Sequence, residues 1–165
     1  MGRQRLGEAL GLGEGSVRTL VSLLRSRGLI RADERGMRLT SRGLRELEAA
    51  GLESSPVSAR GLSVSECDVA VRVRGAAGRV RDGLRQRDEA VMAGAEGATT
   101  LVVRGGRLLM PPETDIDSSS PELAGQVRRA FQLMEGDAIV IGSARSRRAA
   151  EDGALAAAVD LMEGR

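Results

Sequence analysis

The chain has 165 residues, a formal net charge of +2, a single Cys, and no His, Trp or Tyr; all 25 of its basic residues are Arg. Without His or Lys there is no imidazole base near neutral pH, no Ser-His-Asp triad, no Schiff base and no phosphate-loop lysine; carboxylate–metal chemistry stays open, but the reading is not an enzyme, with no catalytic residue, metal or cofactor assigned. The apolar runs are too short to cross a bilayer and the N-terminus lacks a signal-peptide core, which predicts a cytoplasmic protein with no membrane partner.

Charge is distributed unevenly. Residues 1–45 hold ten Arg against four acidic residues, whereas residues 56–165 hold fifteen Arg against sixteen. A positive field confined to one end of a chain is an electrostatic footprint for a polyanion. Within that end, Leu6, Leu10 and Leu12 are interleaved with Gly7 and Gly11, and Val17, Leu20, Val21 and Leu24 follow at helical spacing up to Gly28. The pattern predicts helices over 3–10 and 14–27 across a tight turn near Gly11–Gly13. Gly13 serves as N-cap and Glu14 suits the positive end of the helix dipole. "RGLI" leading into "RADERGMRLT" predicts a hairpin with its turn at residues 34–36. "LTSRGLRELEAAG" predicts a helix capped by Thr40 or Ser41 and stopped at Gly51.

Helix, turn, helix, hairpin, helix over residues 3–51 resembles a winged helix-turn-helix. In that family the second helix enters the major groove. The resemblance makes Ser16, Arg18, Thr19, Ser22 and Arg25 candidates for base and phosphate contacts, and Arg31, Arg35 and Arg38 candidates for wing contacts to the backbone. The partner would be double-stranded DNA. A protein-docking winged helix, or simply a solvated polar face, is the competing reading. Single-stranded RNA fits less well, because its readers stack bases on aromatic rings and Phe131 is the only aromatic residue. Winged helices carry one more helix ahead of this motif, while Met1 stands only two residues before it. The expectation is a missing first helix, with either a late start or a partner subunit covering Val17, Leu20, Val21 and Leu24.

The Ser-, Gly- and Pro-rich stretch 53–63 is predicted as a linker, its second half allowing a short edge strand. The domains are then 1–52 and 64–165. In the second, "CDVAVRVRG" alternates Val69, Val71 and Val73, and residues 77–95 read as a helix with Val80, Leu84 and Val91 inward. "ATTLVVRGGRLLM" is a hairpin turning at Gly105–Gly106. Ser120 and Pro121 open a helix carrying Leu123, Val127, Ala130, Phe131 and Met134. "DAIVIGS" is a buried strand, and an Ala-rich helix over 146–162 ends the order β-α-β-β-α-β-α. The fold class expected is α+β, the second domain a two-layer α/β sandwich with helices over one sheet.

Three stretches of this domain invite a chemical reading. "IGSARSRR" sets Gly142, Ser143, Arg145 and Ser146 at a strand-to-helix junction where backbone N–H groups hold anions, although turn chemistry explains the same residues. "PPETDIDSSSPE" gathers Glu113, Asp115 and Asp117 but departs from a calcium loop at Ser120, which favours a solvated acidic loop. "RQRDEA" places Arg85, Asp88 and Glu89 on one helix, as surface ion pairs or as part of a subunit interface. Cys67, beside a Val-rich run, reads as a small core residue.

The stretch "VRGAAGRVRDGLRQRDEAVMAGAEGATTLVVRGGRLLMP", and within it "QRDEA", "GATTLV" and "LLMPP", resembles a family of archaeal two-domain proteins. These have an N-terminal winged helix and a C-terminal α+β domain of unassigned role. The resemblance covers the whole chain and implies a transcription regulator, with no ligand or reaction attached. The reading carried forward is a DNA-binding homodimer whose second domain dimerises and takes up a small-molecule effector. The alternative is a winged helix serving as a protein-interaction module on a ligand-binding or enzymatic domain.

Overall fold

The computed structural model describes residues 2–33, 36–63 and 65–164. The chain divides into two compact units, with the boundary between Ala50 and Gly51. Among the described residues no helix is long and apolar enough to cross a membrane.

The N-terminal unit runs α1 (Arg3–Leu10), α2 (Glu14–Ser26), β1 (Ile30–Asp33), β2 (Gly36–Leu39) and α3 (Ser41–Ala50). Gly11 closes α1 in the left-handed region, at φ 54°, a conformation that glycine adopts without a Cβ penalty. A Cβ on Gly7 would lie 3.0 Å from the Leu12 carbonyl oxygen and 3.2 Å from Val17 Cγ2, so α1 and α2 cross closely and a side chain there would be tight. Val17 and Val21 are buried, and Leu20 and Leu24 are half-buried. The β1–β2 pair is antiparallel, Ile30 facing Leu39 and Arg31 facing Arg38. Residues 34 and 35, expected in its turn, lie outside the described residues. Thr40 caps α3: its Oγ accepts the Gly43 N–H at 3.0 Å and donates to the Gly28 carbonyl at 2.7 Å.

The C-terminal unit contains β3 (Leu52–Val57), β4 (Cys67–Val73), a 3-10 turn (Ala77–Arg79), α4 (Leu84–Met92), β5 (Gly97–Arg104), β6 (Arg107–Met110), β7 (Thr114–Asp115), α5 (Ile116–Ser119), α6 (Pro121–Ala130), β8 (Ala138–Ala144) and α7 (Arg147–Glu163). All pairings in its six-stranded sheet, ordered β3-β4-β8-β5-β6-β7, are antiparallel. The last strand inserts at the centre, with Val140 between Val71 and Thr100. Gly105 and Gly106 turn the β5–β6 hairpin with positive φ, as expected. The Glu135 carboxylate accepts both of their N–H groups, at 2.9 and 3.1 Å, and these bonds, Gly106 first, hold its carboxyl below the usual range.

Helices cover both faces of this sheet, so the unit has three layers rather than the two expected. Val71, Val73, Val102 and Val140 pack with Ala90, Ala154 and Leu161 on the α4–α7 face. Leu101, Val103, Ile139 and Ile141 pack with Ile116, Leu123, Val127 and Phe131 on the α5–α6 face. Strands buried on both sides lose their alternation, which is why "AIVIG" reads as a continuous apolar run. The stretch 53–63 is not a free linker either: Leu52–Val57 forms the sheet edge, where Pro56 withholds an N–H at little cost.

The helix expected over 77–95 is shorter and rotated. Residues 80–83 are not helical, and α4 buries Gln86 and Ala90 while Leu84 and Val91 stay exposed. Its buried stripe is set by α7: a Cβ on Gly153 would lie 2.5 Å from Ala95 Cβ and 3.0 Å from the Ala90 carbonyl, so small residues win the contact. Helix α6 ends at Ala130, leaving Met134 outside it and exposed.

Candidate functional site

The arginine-rich face of α2 follows directly from its helical repeat. Val17 and Val21 turn inward, which sends Ser16, Arg18, Thr19, Ser22 and Arg25 to the exposed side. Arg18 pairs with Glu14 one turn earlier at 2.9 Å, between two largely exposed side chains. Such pairs contribute on the order of 0–1 kcal/mol and release readily to a stronger anion. The Thr19 hydroxyl donates to the Gly15 carbonyl at 3.1 Å and keeps its acceptor side free for a donor. Ser16, Ser22 and Arg25 have no side-chain partner among the described residues.

One residue that sequence reasoning missed joins this face. Arg3, from the start of α1, lines a groove of about 470 Å³ with Arg18, Ser22, Arg25 and Ser26. It precedes the helix-turn-helix spacing, so only the α1–α2 crossing reveals it. In the hairpin, Arg31 and Arg38 are directly opposed across β1 and β2, both exposed and without a carboxylate partner among the described residues. Like charges facing each other across a strand pair are destabilising, a cost that a bound polyanion removes. Arg35, expected beside them, lies outside the described residues.

The second candidate stretch is placed differently. Gly142 and Ser143 are not in a loop; they belong to the buried end of β8. A Cβ on Gly142 would run into the Ala150 carbonyl oxygen, so this glycine exists to seat α7 on the sheet. The Ser143 hydroxyl donates to Asp68 at 2.6 Å, and the same carboxylate accepts the Ala59 N–H at 2.8 Å. Arg145 pairs with Glu96 at 3.0 Å and Ser146 caps α7 through the Ala149 N–H at 3.2 Å. Packing and capping thus engage Gly142, Ser143 and Ser146, while Arg145 is held by an exposed ion pair.

The acidic stretch is also structural. Asp115 caps α5 and pairs with Arg107 at 3.2 Å. Asp117 accepts the Leu108 N–H at 2.8 Å and two bonds from Arg128, at 2.8 and 3.0 Å; the Arg128 guanidinium, followed by the Leu108 N–H, holds its carboxyl below the usual range. No group of three or more His, Cys, Asp or Glu among the described residues forms a metal-binding set. Cys67 is half-buried, its Sγ 3.7 Å from the Arg145 carbonyl oxygen.

Comparison with known proteins adds family and architecture. The family described as Domain of unknown function (DUF4443) matches residues 64–161, and the one described as PH0730-like, N-terminal domain, matches residues 1–45. Among solved structures, the hypothetical protein PH0730 from Pyrococcus horikoshii OT3 is similar at 29% identity, with a TM-score of 0.78 over 99% of this chain and 85% of that one. No curated protein matches the chain.

Proposed function

Because this chain belongs to the DUF4443 family, whose description assigns no activity, we propose a function from its own surfaces: a DNA-binding regulator, a binding protein and not an enzyme. The N-terminal unit acts as a winged helix. Helix α2 lies in the major groove, where Arg18 and Arg25 fork onto guanine acceptors and Ser16, Thr19 and Ser22 contact bases or phosphates. Arg31, Arg38 and Arg35 follow the backbone and fix orientation. The supporting observation is that Arg3, Arg25, Arg31 and Arg38 meet no carboxylate among the described residues, in a unit with ten Arg against six acidic residues.

The C-terminal unit serves dimerisation in this reading. Leu84 and Met92 on α4, with Val159 and Met162 on α7, leave large apolar side chains exposed there. Two copies related by a two-fold axis would read half-sites about one helical turn apart. The test is duplex binding by Arg18→Ala and Arg25→Ala, alone and together. The expected result is lost binding with an unchanged melting temperature and a dimeric mass by sizing; full retention of binding by the double variant sinks the proposal.

A specific observation favours the second reading, a protein-docking module. Leu39, Leu44 and Leu47 are 44%, 49% and 57% exposed in the same unit. Under that reading Leu44→Ser and Leu47→Ser abolish partner capture, while Arg18→Ala and Arg25→Ala leave it intact.

A further inference from the structure

We propose that the C-terminal unit binds a small phosphate-bearing molecule, of the sugar-phosphate kind, in a cleft at the start of α4. The cleft has a volume of about 600 Å³ and is lined by Gly78, Arg79, Arg81, Arg85, Gln86 and Asp160. The proposal stands on this unit alone and does not rest on the DNA-binding reading.

Hydrogen bonds tie the walls together. Arg79 donates to the carbonyls of Leu161 and Met162 at 3.1 and 2.5 Å, capping the last turn of α7. Arg85 grips Asp160 through two bonds of 2.8 Å each. Donation to the Asp160 carboxylate is the main reason the Arg85 guanidinium is held more firmly protonated than usual. Those two cations are therefore committed to the protein. Arg81 is not: it is exposed and has no acceptor among the described residues.

Two further sets of polar groups on lining residues lack partners among the described residues. Gln86 is only 3% exposed, yet its side-chain amide has no hydrogen-bond partner among the described residues. It is also absent from the polar groups sealed away from solvent, Arg72 Nε and Thr100 Oγ, so its amide opens on the cleft. An amide this enclosed has the cleft as its outlet, so whatever occupies the cleft supplies its hydrogen bonds. In the first turn of the nine-residue helix α4, Asp82 Oδ1 takes the Leu84 N–H at 3.0 Å. The N–H groups of Arg85 and Gln86 have no acceptor among the described residues. Helix-start N–H groups beside an uncommitted guanidinium form a seat for one anionic group.

The ligand class follows from the lining. The lining carries Arg79, Arg81 and Arg85 against Asp82 and Asp160, which leaves one positive charge in excess, and Arg81 is the cation there that no acceptor among the described residues engages. The Gln86 amide, donor and acceptor at once, suits a hydroxyl next to that anion. No aromatic ring lines the cleft, and Phe131 is buried in the cluster on the other sheet face, so nothing stacks a nucleobase.

The test is calorimetric titration of the full chain, without DNA and at constant ionic strength, with inorganic phosphate, ribose 5-phosphate, ribose and AMP. Phosphate is expected to saturate one site per chain, with ribose 5-phosphate at least tenfold tighter, ribose silent, and AMP no tighter than ribose 5-phosphate. Arg81→Ala should weaken both phosphate probes at least tenfold. Gln86→Leu should remove the advantage of the sugar while the melting temperature holds or rises. Arg87→Ala, on α4 outside the cleft lining, should change nothing. No saturable binding by any probe, AMP binding tighter than ribose 5-phosphate, equal weakening by Arg87→Ala, or indifference to both Arg81→Ala and Gln86→Leu overturns the proposal.

Discussion

In the C-terminal unit Arg72, Arg85, Arg107, Arg128 and Arg145 each meet a carboxylate within 3.2 Å, whereas in the N-terminal unit Arg3, Arg25, Arg31 and Arg38 meet none among the described residues. The cores differ in parallel. One unit wraps a six-stranded sheet with fully buried Leu, Ile and Val on both faces; in the other, the buried large apolar residues among those described are Val17 and Val21. The same residue type therefore does two jobs. Where the core is large, these five arginines tie strands, helices and loops together, and Arg81 at the cleft is an exception. Where the core is small, Arg18 and Arg42 pair only with a carboxylate on their own helix, and Arg3, Arg25, Arg31 and Arg38 are left turned to solvent, their charge available to something external.

That contrast can be broken or sharpened by substitution. The largest effect is expected from Gly142→Val, which drives a side chain into the Ala150 carbonyl and toward the Ala154 N–H. Because backbone has to move, the cost should exceed roughly 3 kcal/mol, beyond ordinary overpacking; urea unfolding followed by circular dichroism reads it. A loss below about 1 kcal/mol would mean that α7 does not seat on β8 as described.

Next is Arg72→Ala. Arg72 is 1% exposed and bonds Glu53 and the Gln132 carbonyl, both at 2.6 Å, with Asp137 at 4.0 Å. Removing a buried cation from such a set should destabilise by about 3 kcal/mol. Glu53→Gln, at the half-exposed end of the pair, should cost about 1 kcal/mol. Equal losses from the two would show that the buried end is not the expensive one.

Asp117→Asn comes third, at roughly 1–2 kcal/mol near pH 7, for the loss of charged bonds from Arg128 and of part of the Leu108 bond. Its folded carboxyl titrates below the usual range. Its stabilisation is therefore fully present above the ordinary carboxylate value, about pH 4, and is lost as pH falls through the lower folded value. The variant should show a shallower acid limb in melting temperature against pH. An unchanged limb would remove Asp117 from the account.

The smallest effect has the opposite sign and belongs to the other unit. Arg38→Thr relieves the Arg31–Arg38 opposition and should stabilise the hairpin by a few tenths of a kcal/mol while weakening duplex binding. A destabilised hairpin would mean that Arg38 has an internal partner after all.

Much of the fold is legible from local chemistry. Gly11, the Val17–Val21 spacing, the Gly105–Gly106 turn and the Ser120–Pro121 helix start each act over a few residues, and the elements form where they predict. What is not legible depends on distant partners. The inward side of α4 is chosen by Gly153, far along the chain, and not by the apolar pattern of Leu84 and Val91. Gly142 and Ser143 read as an anion loop only because their neighbours in space, Ala150 and Asp68, are invisible in sequence. The cleft beside Gln86 depends on the Arg85–Asp160 pair, which no periodicity announces. On α2, by contrast, the helical repeat alone separates Val17 and Val21 from Arg18, Ser22 and Arg25, so the candidate interface is the part of the molecule most readable from its residues.

The most direct measurement is the salt dependence of duplex affinity. With about five arginine–phosphate contacts per N-terminal unit, the account predicts that log K falls against log salt with a slope near −4 to −5. A flat dependence, or no duplex binding even at low salt, would contradict it.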